Sequence, residues 1–373
     1  MSAASDGGSR ARVWLLQRSD VVGGTKVLID GLEGRLAARG VDASAVYLRD
    51  LREHEDARGA RWTRPFLASR DFGRLLRRLR QERPAVIVTF TPFLGALAAL
   101  AARFLGRSKV VSTLHTASDR VGRGVLWFDA VVARLGWYSG IVACAPSVAA
   151  SYERNGPAYM RHVTVVANGV EPSYEPRRSG SGASGAGLGP SSGGLVAVAV
   201  GRLTAGKNYG VLFEALALAP DWSLVILGDG EGRAGLEAGA SALGLAERVR
   251  FLGRVPRELV GRWLSACDAF VQPSLHEGLS LAVLEAMARG APVLVSDIPA
   301  NRDPMDAPDG AVGLLLPGHD PHAWAAALAS VAADPAAAEA MGARARARQR
   351  AEFDQETMYG RYVDKVLEEL ETR

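Results

Sequence analysis

The chain has 373 residues, of which 48% are hydrophobic and 23% are charged. A chain of this length and apolar content can build two domains, each with its own core. Its 44 basic and 40 acidic residues nearly balance, so the sequence pI of about 9.2 does not by itself indicate a nucleic-acid-binding protein, and we expect no nucleic acid partner.

The beginning of the chain and its cysteines indicate the compartment. Residues 1–10 have no apolar core, so we interpret them as a disordered tail rather than a signal peptide. Cys144 and Cys267 lie far apart, each within an apolar run. This pattern argues against a disulfide framework and a zinc site, and it predicts buried thiols in a reducing compartment, for which we expect the cytoplasm.

The first half of the chain alternates between strand and helix patterns. Short apolar, β-branched runs predict strands at 12–17, 43–48, 85–90, 109–115, 140–145 and 162–167. The intervening segments predict helices at 26–39, 69–82, 93–104, 124–137 and 147–154. The uncharged stretch 85–102 is long enough to cross a membrane, but its strand-like start and the break at Thr91 and Pro92 favour a strand, a turn and a buried helix.

The second half repeats the same pattern after a break in composition. Residues 173–194 are rich in Gly, Ser and Pro and are predicted to be a linker between two domains. Six more strands are predicted within 195–203, 222–230, 249–255, 269–274, 292–297 and 313–318. The amphipathic segment 353–373 is predicted to be a helix that packs back towards the N-terminal domain.

This alternation predicts an α/β fold with two Rossmann-like, doubly wound parallel sheets. The N-terminal domain would span 11–172 and the C-terminal domain would span 195–352. Parallel sheets of this kind bind ligands at the carboxyl ends of their strands. We therefore expect the two domains to face each other across a cleft that contains the active site.

The stretch from Gln272 to Gly290 contains the clearest candidate site. Glu277 and Glu285 lie eight positions apart, which along one helix would separate them by roughly 12 Å. That separation suits one extended ligand with hydroxyl groups at both ends. Gly278, Leu279 and Ser280 are predicted to open the helix, so their N–H groups would offer an anion site. Hydroxyl, phosphate and hydroxyl in a row describe a nucleotide-sugar.

The segment 201–208 offers cations beside that site. It reads GRLTAGKN and is one residue away from a phosphate-binding P-loop, because Asn208 replaces the hydroxyl that would hold Mg²⁺. Arg202 and Lys207 remain well placed to neutralise a diphosphate, although an ordinary surface pair is the alternative. A P-loop phosphotransferase therefore stays open as a less favoured hypothesis.

Two further places offer weaker signals. Gly23 and Gly24 follow the first strand, where they either approach a phosphate or only form a tight turn. His115 ends the fourth strand, where it either hydrogen-bonds a ligand or has a structural role. No Asp-x-Asp is placed to hold a metal diphosphate and no His and Cys cluster, so we predict no catalytic metal.

Taken together, these motifs resemble family 4 retaining glycosyltransferases of the GT-B fold. The stretch PSLHEGLSLAVLEAMARGAPVLVSD resembles the Glu-x7-Glu signature of that family, and VVGGTK, TLH, VVANGVEP, VGRLTAGKN, VILGDG and VRFLGRVP occur in the family's order. The resemblance implies metal-independent transfer of a sugar from a nucleotide-diphosphate sugar, with retention. It also implies that the domain 11–172 binds the acceptor and that the domain 195–352 binds the nucleotide-sugar donor. We expect a UDP-sugar from family frequency, with a GDP-sugar as the alternative.

The resemblance also implies roles for individual residues. Glu277 would contact the hydroxyls of the donor sugar, and Glu285 would hold the ribose. Arg202 and Lys207, with Gly201 beside them, would bind the diphosphate and stabilise the departing phosphate. Gly23 and Gly24 would contact the diphosphate, and His115 would contact the sugar. Arg254 and Val255 would contact the base. Phosphate and sugar hydroxyls would be bound by the backbone N–H groups of Gly278, Leu279, Ser280 and Leu281.

The acceptor is open, among a small natural product, a polysaccharide and a glycolipid. The segment bounded by Arg49 and Arg83 carries eleven arginines against six acidic residues. It either packs on the core with a solvated arginine face or contacts the inner face of a membrane. A catalytically inactive nucleotide-sugar-binding protein is the main alternative function, and the intact Glu277 argues against it.

Overall fold

The structure is a computed structural model that describes residues 11–19, 24–49, 70–105, 108–172, 194–307 and 310–372. The predicted tail, Gly23, positions 173–193 of the predicted linker and positions 50–69 of the arginine-rich segment lie outside these ranges. The chain forms two compact units. One comprises the residues up to Val166 together with those from Met358 onward, and the other comprises Ala167–Thr357.

The first unit contains a six-stranded sheet in which every pairing is parallel. Its strands are β1 (Arg12–Ser19), β2 (Asp42–Arg49), β3 (Val86–Thr89), β4 (Lys109–Leu114), β5 (Gly140–Ala143) and β6 (Val163–Val165). Their order across the sheet is β2-β1-β3-β4-β5-β6. The helices between them are α1 (Gly24–Ala38), α2 (Arg70–Glu82), α3 (Pro92–Leu105), α4 (Arg123–Arg134), α5 (Pro146–Ser151) and α6 (Pro157–Met160).

The second unit contains another parallel sheet of six strands. These are β7 (Leu195–Val200), β8 (Trp222–Leu227), β9 (Val249–Gly253), β10 (Ala269–Gln272), β11 (Val293–Ser296) and β12 (Leu314–Leu316). Its helices are α7 (Gly210–Leu218), α8 (Arg233–Ala242), α9 (Arg257–Ala266), α10 (Leu281–Ala288), α11 (Pro299–Met305), α12 (Pro321–Ala333) and α13 (Pro335–Glu352). The strand order is β12-β11-β10-β7-β8-β9.

That order creates a topological switch point between β7 and β10. After β7 the chain adds β8 and β9 on one side, and then returns to add β10, β11 and β12 on the other. The loops that leave β7 and β10 therefore diverge at the carboxyl edge of the sheet. A crevice of this kind is where open α/β sheets bind ligands.

The last helix, α14 (Gln355–Glu371), completes the core of the first unit. Its Tyr359 and Tyr362 are each 1% exposed and pack with apolar side chains of α1 and the sheet. The Tyr359 hydroxyl also donates to the Val27 carbonyl oxygen at 3.0 Å. The apolar face predicted for this helix is therefore buried against the first sheet.

All twelve predicted strands are present, with ends that shift by one to three residues. The stretch 85–102 forms β3 and α3, as the break at Thr91 and Pro92 predicts. No helix in the described ranges is long and apolar enough to span a bilayer. The predicted helix 147–154 ends early, because the chain turns into a 3₁₀ segment at Glu153–Asn155.

Candidate active site

The candidate site is built from the two loops that leave β7 and β10. Residues 201–208 follow β7, and residues 273–280 follow β10. A backbone hydrogen bond joins the loops, because the Leu275 N–H donates to the Gly206 carbonyl oxygen at 2.9 Å. The two predicted halves of the site, 70 residues apart in sequence, are thus neighbours at the switch point of the second sheet.

An ion pair between Lys207 and Glu277 lies where these loops meet. The Lys207 Nζ donates to the Glu277 Oε1 at 2.6 Å. The side chains are 18% and 15% exposed, so the pair is partly shielded from water and less screened than a surface pair. The two groups that the resemblance assigns to the diphosphate and to the sugar therefore bind each other in the ligand-free chain.

The loop after β7 uses most of its backbone N–H groups internally. Residues 201, 203, 204, 207 and 208 all donate to carbonyl oxygens of the chain itself. A 3₁₀ turn at Ala205–Lys207 is followed by Asn208 in the left-handed conformation, with φ of 55°, and its Nδ2 donates to the Gly318 carbonyl oxygen at 2.6 Å. A P-loop needs free N–H groups that lead directly into a helix. This loop lacks that phosphate cradle, which counts against the phosphotransferase hypothesis.

Two glycines let the loops approach closely. A Cβ on Gly206 would lie 2.7 Å from the His276 ring, so a side chain there would push the loops apart. A Cβ on Gly201 would lie 3.0 Å from the Tyr209 hydroxyl and 3.3 Å from the Lys207 Nζ. Gly201 therefore leaves room for the lysine, which is a structural reason for glycine at a position that the resemblance assigns to binding.

The loop after β10 presents backbone N–H groups that the first loop does not. The N–H groups of Gly278, Leu279, Ser280 and Leu281 have no acceptor among the described residues. They lie at and before the N-terminus of α10, where the helix dipole favours an anion. Their position fits the predicted contacts to phosphate and sugar hydroxyls.

The structure corrects two expectations about this segment. The helix does not open at Gly278, because its first residue is Leu281. Ser280 precedes it without capping it, since its hydroxyl donates instead to the Gln272 Oε1 at 2.8 Å. Glu277 consequently lies in the loop, and the separation of 12 Å derived from one continuous helix does not apply.

Glu285 lies inside α10 and faces an arginine. Its Oε1 is 3.2 Å from the Arg257 guanidinium, and its side chain is 23% exposed. Burial raises the pKa of Glu285, while the charge and hydrogen bond of Arg257 act in the opposite direction. The carboxylate predicted to hold ribose hydroxyls thus shares its acceptor capacity with Arg257.

The other predicted contacts of the second unit lie at the same edge of the sheet. Arg202 is exposed immediately beyond β7, and no hydrogen bond or ion pair engages its side chain within the described part of the chain. Arg254 is exposed and Val255 half-buried just after β9. Their positions leave all three accessible to a ligand at this edge.

His115 of the first unit follows β4 and is held by its neighbours. The Thr113 hydroxyl donates its hydrogen to the Thr89 carbonyl oxygen at 2.9 Å, so it accepts from the His115 Nε2 at 2.9 Å. These bonds assign the proton to Nε2 and leave Nδ1 as an acceptor. Burial lowers the pKa of His115 to about 4, and the ring is therefore neutral at pH 7.

Of the predicted glycine pair, only Gly24 lies within the described residues. It is the first residue of α1, and residues 20–23 between β1 and α1 lie outside the described ranges.

Sequence reasoning missed three residues that support the site. Asn168 donates through Nδ2 to the Leu279 carbonyl oxygen at 3.0 Å and so fixes the loop after β10. Gln272 anchors Ser280, as described above. Tyr209 is 2% exposed, and its hydroxyl has no hydrogen-bond partner in the described ranges. Only Asn168 carried a signal, because it belongs to the NGV motif.

No metal site is evident in the part of the chain that the structure describes. No group of three or more His, Cys, Asp or Glu side chains is arranged to hold a metal ion among those residues. Cys144 and Cys267 are both buried, one in each unit.

The two parallel six-stranded sheets with their helices correspond to the GT-B fold. Sucrose-phosphate synthase from Thermosynechococcus elongatus matches with a TM-score of 0.81 and 19% identity, over 97% of this chain and 99% of that chain. Anabaena Alr3699/HepE, solved in complex with UDP-glucose, matches with a TM-score of 0.79 and 20% identity, over 96% of this chain and 99% of that chain. At these identities the likeness concerns the fold alone.

Family models narrow the class further. The Glycosyltransferase Family 4 model matches residues 22–174, and the Glycosyl transferases group 1 model matches residues 186–348. Together they cover most of the sequence, and the chain belongs to family 4 of the GT-B glycosyltransferases.

A curated relative shows how far the likeness extends. The D-inositol 3-phosphate glycosyltransferase of Streptomyces avermitilis is 35% identical over 228 residues, which cover 56% of this chain and 48% of that protein. The chain thus spans about half the length of this relative.

Proposed function

We propose that the protein transfers a sugar from a nucleoside diphosphate sugar to an acceptor hydroxyl, without a metal ion, forming an α-glycosidic bond with retention. The observation that carries this proposal is the arrangement at the switch point of the second sheet. There the Lys207 Nζ and the Glu277 Oε1 are joined at 2.6 Å, and Glu277 is followed directly by four N–H groups that find no acceptor in the described part of the chain. Cation, carboxylate and backbone donors together match a diphosphate linked to a sugar.

Charge stabilisation is the main work of this site. The bond between the anomeric carbon and the phosphate oxygen breaks, and negative charge develops on the departing diphosphate. Lys207, Arg202 and the N–H groups at the start of α10 stabilise that charge, as preorganised donors do in other transfer enzymes. In the proposed metal-independent reaction, these groups together neutralise the diphosphate.

Retention follows from attack on the face that the phosphate leaves. The acceptor oxygen forms its bond to the anomeric carbon while the departing phosphate oxygen takes the acceptor's proton. Glu277 then serves to position the sugar through its hydroxyl groups rather than to form a covalent intermediate. Its 15% exposure and its bond to Lys207 keep the carboxylate fixed for this role.

The remaining contacts concern recognition of the nucleotide and the sugar. Glu285 would accept from the ribose hydroxyls while it keeps its bond to Arg257. Arg254 and Val255 would contact the base. In the first unit, the Nδ1 of His115 would accept a hydrogen bond from a sugar hydroxyl, since its Nε2 hydrogen is donated to Thr113.

UDP is the proposed nucleotide, with GDP as the alternative. The structural relative from Anabaena was solved in complex with UDP-glucose, which supports the choice by likeness of fold. The curated relative is named for inositol 3-phosphate, so a small phosphorylated polyol joins the natural products, polysaccharides and glycolipids as a candidate acceptor. A cytoplasmic location, with contact to the inner face of a membrane through the segment bounded by Arg49 and Arg83, belongs to the same proposal.

A thermal-shift screen tests the donor directly. The full chain is heated with UDP, GDP, ADP and TDP and with their common sugars, in the presence of EDTA. A ligand that binds only the folded state raises Tm by mass action, and we expect UDP and one UDP-sugar to do so. A parallel scan without EDTA uses ATP with Mg²⁺, and stabilisation in that scan alone would overturn the proposal in favour of a phosphotransferase.

The inactive-binder alternative makes a different prediction. Such a protein would show the same thermal shift but no turnover, because the cations are enough to bind the nucleotide-sugar without any transfer of the sugar. Slow hydrolysis of the sugar nucleotide, or release of UDP when acceptors are added, separates an enzyme from a binder. Complete absence of both with every acceptor class would favour the binder.

A further inference from the structure

A buried carboxylate of the first unit takes no part in the proposed reaction. Asp129 lies in the middle of α4, and its side chain is fully buried. Its Oδ1 accepts from the Tyr138 hydroxyl and its Oδ2 accepts from the Tyr159 hydroxyl, each at 2.6 Å. No Lys, Arg or His side chain pairs with it among the described residues. Two tyrosine hydroxyls therefore stand in place of the cation that usually accompanies a buried charge.

The charge of this carboxylate does not stabilise the fold at neutral pH. Burial raises the pKa of Asp129 from 3.8 to about 6, although the two tyrosine hydroxyls act in the opposite direction. Because the folded chain then holds this proton more tightly than the unfolded chain does, the contribution of Asp129 to the free energy of unfolding falls as the pH rises through this range. A role in stability therefore does not explain a charged side chain at this position.

One of the two tyrosines leads from Asp129 to residues 115–122, which we call the β4 loop. The Tyr159 ring, in α6, stacks on the ring of Tyr152, which directly follows α5, with centroids 5.8 Å apart and 7° between the planes. Both side chains are fully buried. The Tyr152 hydroxyl donates to the Thr116 carbonyl oxygen at 3.2 Å. Asp129 thus fixes one end of a stacked pair of rings, and the other end contacts the β4 loop.

The residue before Tyr152 holds the same loop. The Ser118 N–H donates to the Ser151 Oγ at 2.9 Å, and the Ser118 hydroxyl donates to the Ser151 carbonyl oxygen. Ser118 is 2% exposed, whereas Thr116 is exposed. The consecutive residues Ser151 and Tyr152 therefore tie the β4 loop to the end of α5.

The β4 loop begins with His115, whose Nδ1 is proposed to accept a hydrogen bond from the sugar. The ring is held on the strand side by Thr113 at 2.9 Å and stacks on Phe90, with centroids 6.2 Å apart. Functional contacts of this kind need their atoms placed to within about 0.5 Å. The backbone that follows His115 must therefore be fixed as well, and its hydrogen bonds lead to Ser151 and Tyr152.

We propose that Tyr152 is a positioning residue, which holds the β4 loop and with it His115 in place for the transfer reaction, and that Asp129 supports it through Tyr159. This inference rests on the proposed function, because a donor sugar beside His115 is what makes the position of the ring matter. Tyr138 is bonded to the same carboxylate and is 3% exposed, but in the described ranges it makes no hydrogen bond to the β4 loop. It therefore offers a matched control.

Hydrogen exchange in the full chain tests the positioning without an assay of transfer. The Ser118 amide, bonded to the Ser151 Oγ, and the His115 Nε2–H, bonded to the Thr113 hydroxyl, report opening of the β4 loop in NMR spectra. Tyr152→Phe removes the bond to the Thr116 carbonyl oxygen and keeps the stacked ring. Loss of one hydrogen bond changes an opening equilibrium by about two- to tenfold, so both protons should exchange faster by that factor.

A pair of variants at the Asp129 carboxylate tests the support. Tyr159→Phe and Tyr138→Phe each remove one hydroxyl that is bonded at 2.6 Å to the same side chain. A purely structural role predicts equal effects of the two substitutions. We expect both variants to lower Tm by a similar amount, while only Tyr159→Phe speeds exchange of the two reporter protons.

Kinetics then test the link to the proposed function. In Tyr152→Phe, kcat/KM for the sugar nucleotide should fall by about two- to tenfold, in step with the opening of the loop. The Kd of UDP should stay the same, because the residues proposed to bind UDP lie outside the β4 loop.

The outcomes separate the inference from the proposed function. Wild-type exchange of both protons in Tyr152→Phe would overturn the inference, and so would faster exchange in Tyr138→Phe that equals the change in Tyr159→Phe. Faster exchange in Tyr152→Phe with an unchanged rate of transfer would overturn the contact between His115 and the sugar, while Tyr152 would still be shown to position the loop.

Discussion

The two loops at the switch point of the second sheet contribute opposite kinds of groups. The loop after β7 uses most of its N–H groups internally and presents side-chain cations, Arg202 and Lys207. The loop after β10 presents a carboxylate, Glu277, and the N–H groups of residues 278–281 have no acceptor within the described ranges. Side-chain charge from one loop and backbone dipoles from the other therefore act on the same place.

This difference teaches which part of the site can adapt. A lysine side chain moves at little cost and can exchange Glu277 for a phosphate, whereas a backbone N–H keeps its direction. We infer that the loop after β10 fixes the position of the ligand and that the loop after β7 supplies mobile charge. Substitutions at Lys207, Glu277 and Leu281 test this division, and a substitution at Tyr209 tests the packing beside the cation.

Removing the cation should have the largest effect. Lys207→Ala leaves the Glu277 carboxylate, which is 15% exposed, without its ion-pair partner. It also removes the positive charge that would stabilise the leaving phosphate. Transfer should fall by roughly 10² to 10³ in kcat/KM, the range for loss of one preorganised donor to a developing charge. Lys207→Arg should recover part of it, since the charge remains, and steady-state kinetics with saturating acceptor measures both. Wild-type activity in Lys207→Ala would contradict the assignment of Lys207 to the leaving phosphate.

Neutralising the Glu277 carboxylate should show whether this residue acts on the sugar or on the phosphate. Glu277→Gln keeps the shape of the side chain and weakens its hold on Lys207, so binding of UDP should be unchanged or tighter. Turnover of the sugar nucleotide should still fall by about 10², because the sugar loses its charged acceptor. Calorimetric titration with UDP, alongside initial rates, checks both parts. Weaker binding of UDP would mean that Glu277 supports the phosphate site and not the sugar.

A backbone donor can be removed without touching a side-chain charge. Leu281 is the first residue of α10, a position where proline is well tolerated. Ser280 before it is extended, with φ of −71° and ψ of 116°, which suits the residue preceding proline. Leu281→Pro should weaken donor binding by about five- to tenfold, the equivalent of one hydrogen bond. Leu281→Ala keeps the N–H, so equal weakening there would point to packing instead.

The smallest effect is expected at Tyr209, whose buried hydroxyl lies near Lys207. Burial, and to a lesser degree the charge of Glu277, raises the pKa of Tyr209, whose hydroxyl has no partner among the described residues. Replacing an unpaired buried polar group by an apolar one of the same shape is nearly neutral or slightly stabilising. Tyr209→Phe should therefore leave Tm the same or about 1 to 3 °C higher in thermal unfolding. A clear drop in Tm would reveal a bond that this tyrosine makes in solution.

The sequence predicted the elements of the fold well, because each signal is local. Runs such as LVAVAV and WSLVIL are apolar on both sides, which is typical of strands buried in parallel sheets, and they form β7 and β8. The break at Pro92 likewise separates β3, which ends at Thr89, from α3, which begins at Pro92. The start of α10 was less accurate, since residues 278–280 were predicted to open the helix and its first residue is Leu281.

The geometry of the site could not be predicted in the same way. Lys207 and Glu277 are 70 residues apart, and they meet only because β7 and β10 are adjacent in the sheet. The order of strands across a sheet cannot be read from the hydrophobic periodicity of the individual strands. The same limit applies to Tyr209, which reads as an ordinary core aromatic until its neighbours are known.

The last helix has a consequence for how the protein is made. Five buried side chains of the first unit's core, from Met358 to Val366, are contributed by α14, whereas the rest of that core belongs to the chain's beginning. A ribosome therefore translates the whole second unit before the earlier one can close its hydrophobic interior. Until then the nascent first unit exposes the apolar side chains that α14 covers in the complete protein. Premature stop codons ahead of α14 should therefore yield polypeptides that aggregate or bind chaperones. This should happen even though every residue of the candidate site in the second unit has been synthesised.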